Sequence, residues 1–262
     1  MLKIGIIGVG NIGRQIIKAV NDKMAEFDII AVFDISKENL NRAVELINRP
    51  IYATQDFGKF ISRNTDLIVE SASQKAVNNY AAKVLSSKKN LTIMSVGALV
   101  DSDLLEKIMK IAETNNLKVF IPSGAIGGID ALRSANIDNI ESVRLTTTKP
   151  PENLGIKEKL NQKIVIYKGS ARDAVKKFPK NINVVATLSL AGIGFDRTMV
   201  KIVADPNIEA NIHKINIKGS FGDMGFEFRN LPSPENPRTS YLAALSIIAA
   251  LKNMQSNICI GV

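Results

Sequence analysis

Along the first 121 residues, short runs rich in Ile, Val and Leu alternate with longer stretches whose apolar positions recur every three or four residues. Unbroken apolar runs of four to six residues suit strands buried on both faces, and the three-to-four spacing suits helices with one apolar face. The pattern predicts strands at 3–8, 29–34, 67–71, 91–96 and 118–121, with helices at 11–22, 37–47, 74–85 and 102–114 between them. Strands that alternate with helices in this way pair in parallel through crossovers. In Ser71-Ala72-Ser73-Gln74 a hydroxyl stands three positions before Gln at a helix start, the spacing of a capping box with Ser71 as the cap.

Past Pro122 the rhythm changes. The Gly-rich stretch Ser123-Gly124-Ala125-Ile126-Gly127-Gly128 leads into longer, more exposed strand-like runs at 142–148, 162–167, 198–204, 212–219 and 224–229, with helices at 171–177 and 184–191. That mixture predicts a sheet with helices on one face. The Ala- and Leu-rich segment 241–251 reads as a buried helix packing back on the first domain. The expected division is 1–122, 123–236 and a returning segment 237–262. The expected fold class is α/β, with a C-terminal α+β domain built on a mixed sheet.

Composition narrows the functional classes. Hydrophobic residues at 45% and charged residues at 23% are ordinary globular usage and exclude a disordered chain. The net charge of +9 is spread over isolated residues and short pairs such as Lys88-Lys89 and Lys176-Lys177, so it predicts a solvated basic surface and no nucleic-acid partner. A single cysteine, Cys259, rules out an internal disulfide and a Cys-rich metal site, and it fits a cytoplasmic protein. Met1 leads directly into Ile4-Gly5-Ile6-Ile7 without a signal-peptide pattern, and no apolar run reaches membrane-spanning length, so neither export nor a membrane is expected.

Gly8-Val9-Gly10-Asn11-Ile12-Gly13 is a GxGxxG run lying directly after an apolar strand and at the opening of a helix, the position its mechanism requires. Gly8 permits the tight turn, Gly10 lets backbone approach a pyrophosphate, and Gly13 lets helix and strand pack closely. The open N–H groups and the helix dipole of Asn11 and Ile12 favour the phosphate charge. Asp34 ends the next apolar run about twenty residues on, where a carboxylate accepts from a ribose 2′-hydroxyl. The N-terminal domain is therefore expected to be a Rossmann dinucleotide-binding domain, with NAD favoured and NADP left open by the nearby Lys37. For the 123–128 stretch a hinge and a nicotinamide contact are equally open, and for Asn183 a helix cap before Val184 is favoured over a nicotinamide contact.

His213 is the only histidine, in Asn211-Ile212-His213-Lys214-Ile215-Asn216-Ile217, where it shares the polar face of an imperfect alternation. Hydride transfer at C=O or C=N needs coupled proton movement, and an imidazole titrates near neutrality, so in a dehydrogenase His213 is the candidate acid–base. Cys259 has no basic neighbour and reads as a core or tail residue.

Several stretches together resemble the archaeal and bacterial L-aspartate dehydrogenase family. They are the glycine run with Asp34, Val69-Glu70-Ser71-Ala72-Ser73-Gln74, Met94-Ser95-Val96-Gly97-Ala98-Leu99, Pro122 through Gly128, Asn181-Ile182-Asn183-Val184-Val185-Ala186-Thr187-Leu188-Ser189-Leu190-Ala191-Gly192, and Asn211-Ile212-His213. The resemblance implies NAD(P)-dependent interconversion of L-aspartate with oxaloacetate and ammonia through iminosuccinate. It also implies cofactor contacts at Ala125 and Asn183, His213 as the active-site residue, a homodimer formed through the second domain, and a supply of iminoaspartate to NAD biosynthesis. Val185, where the family pattern has Ala, is the one visible departure. A substrate with two carboxylates needs cations or a helix N-terminus, for which Lys149, Arg172 and the helix start near Asn183 are candidates.

Related dehydrogenases fit less well. One histidine cannot supply the paired-His motif of dihydrodipicolinate reductases. Ser95-Val96-Gly97-Ala98 stands where glucose–fructose oxidoreductase relatives carry Glu-Lys-Pro, and a mid-chain cysteine of the glyceraldehyde-phosphate type is absent. A non-catalytic NAD-sensing regulator would need a partner-binding module for which the chain leaves little room.

Overall fold

A computed structural model of the protein describes residues 1–262 except 48, 179–182, 234–235, 259 and 262. The chain divides into two compact units, Met1–Pro122 with Ile247–Cys259, and Ser123–Ser246 with Ile260–Val262.

The first unit is a six-stranded sheet of β1 (Lys3–Ile7), β2 (Asp28–Phe33), β3 (Tyr52–Thr54), β4 (Leu67–Glu70), β5 (Asn90–Ile93) and β6 (Val119–Phe120), in the order β3-β2-β1-β4-β5-β6. Every pair is parallel. The helices are α1 (Asn11–Asn21), α2 (Lys37–Leu46), α3 (Phe57–Ile61), α4 (Gln74–Ser86) and α5 (Ser102–Thr114). The strand order reverses between β1 and β4, so the loops after these two strands diverge and leave an opening at their C-terminal ends. The apolar runs fill the interior as the pattern predicts. Ile4, Ile6, Val32 and Val69 from strands meet Ile16 and Ile17 from α1 in one core, and Ile247, Ile248 and Leu251 join it. Burying each such side chain contributes about 1.5–3 kcal/mol.

Among the elements that exceed the sequence reading are β3 and α3. The three-residue β3 and five-residue α3 are too short to show a period, and α3 is marked only by its cap, Asp56, which accepts from the Lys59 amide at 3.1 Å. The cap of α4 is a correction: Ser73, not Ser71, accepts the first-turn amide, from Ala76 at 3.2 Å. The Ser71 hydroxyl instead donates to the Gly8 carbonyl at 2.7 Å. Ala72 and Ser73 already donate their amides to the Glu70 carboxylate at 2.8 and 2.9 Å, so the chain reaches helical geometry two residues later.

The second unit is a mixed sheet of β7 (Ile140–Lys149), β8 (Ile164–Ser170), β9 (Thr198–Ala204), β10 (Asn211–Gly219) and β11 (Gly222–Asn230), ordered β11-β10-β7-β9-β8. Only β7 and β9 run parallel. Helix α6 (Ile129–Ala135) precedes β7, and α7 (Ala171–Lys177), α8 (Asn183–Ala191) and α9 (Gly194–Arg197) lie between β8 and β9 and pack against β9. Alternation along β10 buries Asn211, His213, Ile215 and Ile217 and exposes Lys214, Asn216 and Lys218. His213 therefore lies on the buried face with Ile215 and Ile217, not on the polar face expected from sequence. Ile212, one residue out of step, had blurred the register. A small β12/β13 ladder (Pro232–Ser233 with Asn236–Ser240) precedes α10 (Tyr241–Asn253). The first residues of α10 count with the second unit and those from Ile247 with the first, whereas the sequence division assigned all of 237–262 to the returning segment. Among the described residues, no helix is long and apolar enough to cross a membrane.

Candidate active site

In the first unit β1 delivers the chain into Gly8 at φ +87°, a left-handed conformation that side chains rarely adopt, and a Cβ there would meet that of Ala72 at 2.4 Å. A Cβ on Gly13 would lie 2.3 Å from the Gly8 carbonyl oxygen, so only glycine lets α1 start this close to the turn. Around Gly10 a Cβ position meets nothing within 4 Å, which leaves bare backbone facing open space where α1 begins. Gly10 caps α1 without a side-chain hydrogen bond, and the first turn holds no acidic residue, so the positive end of the dipole is left for an external anion. Asn11 and Ile12 occupy that first turn, and Ile12 also packs against the core.

Asp34 is buried beside this loop. One carboxylate oxygen accepts the Val9 amide at 2.9 Å and Asn39 Nδ2 at 3.2 Å, and the other accepts the Ser36 amide at 2.8 Å. Gly8, Asp34, Ala72, Ser73, Lys75 and Tyr80 border a cavity of about 300 Å³. This is the small end of the range for ligand sites, suited to one nucleoside of a dinucleotide. A glycine cradle, an unneutralised helix N-terminus and a carboxylate at the cavity wall together fit a nicotinamide dinucleotide. Lys37 opens α2 and is exposed.

The Glu70 carboxylate, 2% exposed, had no role in the sequence reading. It accepts the amides of Ala72, Ser73 and Ser95 at 2.8, 2.9 and 3.0 Å and the Ser95 hydroxyl at 2.9 Å. Burial raises its pKa from the usual carboxylate value, while these four hydrogen bonds oppose that rise. It ties the loop after β4, which walls the cavity, to the loop after β5. Its one trace in the sequence is an acidic residue closing the apolar run Leu67-Ile68-Val69.

In the second unit His213 is 2% exposed and pairs across the sheet with Thr147 of β7. Its Nδ1 lies 3.0 Å from the Thr147 hydroxyl, which fixes the ring and directs Nε2 away from that bond. Lys149, two residues further along β7 and 6% exposed, belongs to the same face. Burial lowers its pKa from 10.5 to about 8. Burial, and then the nearby Lys149 ammonium, lower His213 from 6.5 to about 3, so its imidazole is neutral at physiological pH. Among the described residues no group of three or more His, Cys, Asp and Glu side chains could hold a metal ion.

The remaining expected residues make other contacts. Ala125, 6% exposed, lies in the turn before α6, where its carbonyl accepts Asn230 Nδ2 at 2.7 Å. Asn183 opens α8 with an exposed side chain. Arg172 is paired with Asp196, Nε to Oδ1 at 2.6 Å and Nη2 to Oδ2 at 2.9 Å. Cys259 lies outside the described residues.

Residues 130–254 match the family model "Aspartate dehydrogenase, C-terminal", and residues 8–122 match "Homoserine dehydrogenase, NAD binding domain". The chain is 44% identical to the L-aspartate dehydrogenase of Methanosarcina barkeri and 45% identical to that of Methanosarcina mazei, each over 100% of both chains. The chain belongs to the L-aspartate dehydrogenase family. The crystal structure of aspartate dehydrogenase from Thermotoga maritima superposes with a TM-score of 0.81 at 33% identity, covering 99% of each chain. The stretch that matches the NAD-binding model contains the glycine cradle, Asp34 and Glu70, and the stretch that matches the C-terminal model contains Lys149, Asn183 and His213.

Proposed function

We propose that the protein is an NAD(P)-dependent L-aspartate dehydrogenase, converting L-aspartate and water to oxaloacetate and ammonia by way of iminosuccinate. The observation that carries this reading is the sole imidazole of a family member, held neutral and oriented by Thr147 on the buried face that also carries Lys149. The bound nicotinamide would supply a hydride acceptor for the substrate Cα–H. The residues do the rest. Gly8, Gly10, Asn11, Ile12 and Gly13 receive the pyrophosphate, Asp34 the ribose hydroxyl, and Ala125 and Asn183 the nicotinamide end. His213 takes a proton from the water that adds to the imine and returns one in the opposite direction.

Asp34 supports NAD over NADP, because a carboxylate repels a 2′-phosphate. The family resemblance alone supports a homodimer formed through the second unit and a supply of iminosuccinate to NAD biosynthesis, and the single cysteine supports a cytoplasmic location.

The test is nicotinamide reduction at 340 nm with L-aspartate and, separately, other amino acids. L-Aspartate gives turnover with NAD or NADP. His213→Ala loses about 10²–10⁴-fold in kcat, the usual worth of a positioned acid–base group, at unchanged cofactor affinity. Tight nucleotide binding without turnover of any amino acid would identify a sensor instead.

A further inference from the structure

We propose that Lys149 and Asn211, beside His213, form a subsite that grips a carboxylate of the substrate. The inference deepens the functional reading above and rests on it for the identity of the ligand. Asn211 and His213 are alternate residues of β10, and Thr147 and Lys149 are alternate residues of β7, its direct neighbour. The His213–Thr147 cross-strand pair puts all four side chains on one face of the sheet.

That face is apolar further along, at Leu145, Ile215 and Ile217, and turns polar only here. Asn211 is 1% exposed, and its Nδ2 has no hydrogen-bond partner among the described residues. Its Oδ1 accepts from Asn153 Nδ2 at 3.4 Å, in the turn Pro151–Leu154 that follows β7, so the carboxamide is held with its donor end directed elsewhere. A donor buried without an acceptor destabilises the fold, and such a group persists where a ligand satisfies it. Lys149 adds an ammonium with three donor directions, one of which can serve a carboxylate whatever else it touches.

A cation, an amide donor and a neutral imidazole on one buried face suit an anionic group. The ligand's carboxylate would supply it. An anion here favours the charged forms of both Lys149 and His213, so the ligand itself restores to the imidazole the basicity that burial and Lys149 remove. The selectivity implied is for an acidic substrate over a neutral amino acid of similar size.

The experiment uses the full-length protein with bound NAD and histidine labelled with ¹³C and ¹⁵N, whose single imidazole signal is His213. Succinate, a dicarboxylate with no amino group to oxidise, is the probe. Succinate is expected to shift the imidazole resonances saturably, raise the His213 pKa and compete with L-aspartate. Lys149→Met is expected to weaken succinate and raise the KM for L-aspartate by at least about tenfold, with NAD affinity unchanged, and Lys149→Arg to recover part of the loss. Asn211→Ala, a smaller change that guards against misfolding of the lysine variant, is expected to cost roughly three- to tenfold. Wild-type succinate affinity in both Lys149→Met and Asn211→Ala, in a protein that oxidises L-aspartate, overturns the subsite. Lysine-dependent succinate binding in a protein that oxidises no amino acid upholds the subsite and overturns the functional reading.

Discussion

Glu70 in the first unit and Lys149 in the second are both ionisable side chains withdrawn from water, and their surroundings differ in kind. Three amides and a hydroxyl converge on the Glu70 carboxylate. Beside Lys149 lie an amide nitrogen without a partner among the described residues and an imidazole whose pKa burial, and then the ammonium, lower. The first arrangement is satisfied within the chain and organises loops, and the second is the one proposed above to receive a ligand. Burial alone therefore does not mark a functional charge. What its neighbours still lack does.

The largest effect expected from this contrast is at the complete site. Glu70→Leu leaves three amides and a hydroxyl without their acceptor and should cost about 3–5 kcal/mol of stability, read from the denaturant midpoint. A loss under about 1 kcal/mol would mean that Glu70 does not organise these loops.

The incomplete site should respond in the opposite sense. Lys149 has a folded pKa of about 8 against 10.5 when unfolded, so its contribution is fully present above pH 10.5 and is lost as pH falls through 8. That difference corresponds to about 3 kcal/mol. Lys149→Met should remove the slope between pH 8 and 10.5 and make the protein more stable at pH 7 by up to about that amount. A Lys149→Met protein less stable than wild type at pH 7 would put Lys149 in the same class as Glu70.

The smallest effect concerns Asp34, which is intermediate: its carboxylate is occupied by backbone and also borders the cavity. Asp34→Ala should narrow the NAD-over-NADP preference by about tenfold, about 1.4 kcal/mol, measured as the two dissociation constants. An unchanged ratio would make Asp34 purely a loop anchor, a smaller relative of Glu70.

The parallel sheet was legible from sequence because its strands are buried on both faces and its helices are long enough to show their period. The glycine run was legible because its mechanism depends on backbone, which the glycines declare. The second site was not. Thr147, Asn211 and Asn153 are ordinary polar residues until sheet pairing brings β10 beside β7, and Ile212 disguised which face His213 occupies. Glu70 and the Ser73 cap were hidden for a related reason. The Glu70–Ser95 and Ser71–Gly8 bonds join the ends of separate strands and leave the cap to Ser73, whereas local spacing pointed to Ser71.

Because the Asp34 carboxylate that borders the cavity also holds the Val9 amide, changing nucleotide preference by replacing this acid would loosen the glycine turn as well. A designer seeking the phosphorylated coenzyme would do better to retain the acid and add positive charge around it, or to pair its removal with a substitute acceptor for Val9. The same constraint would bind a lineage drifting between the two coenzymes, so each viable route would run through coordinated replacements in this neighbourhood and not through position 34 alone.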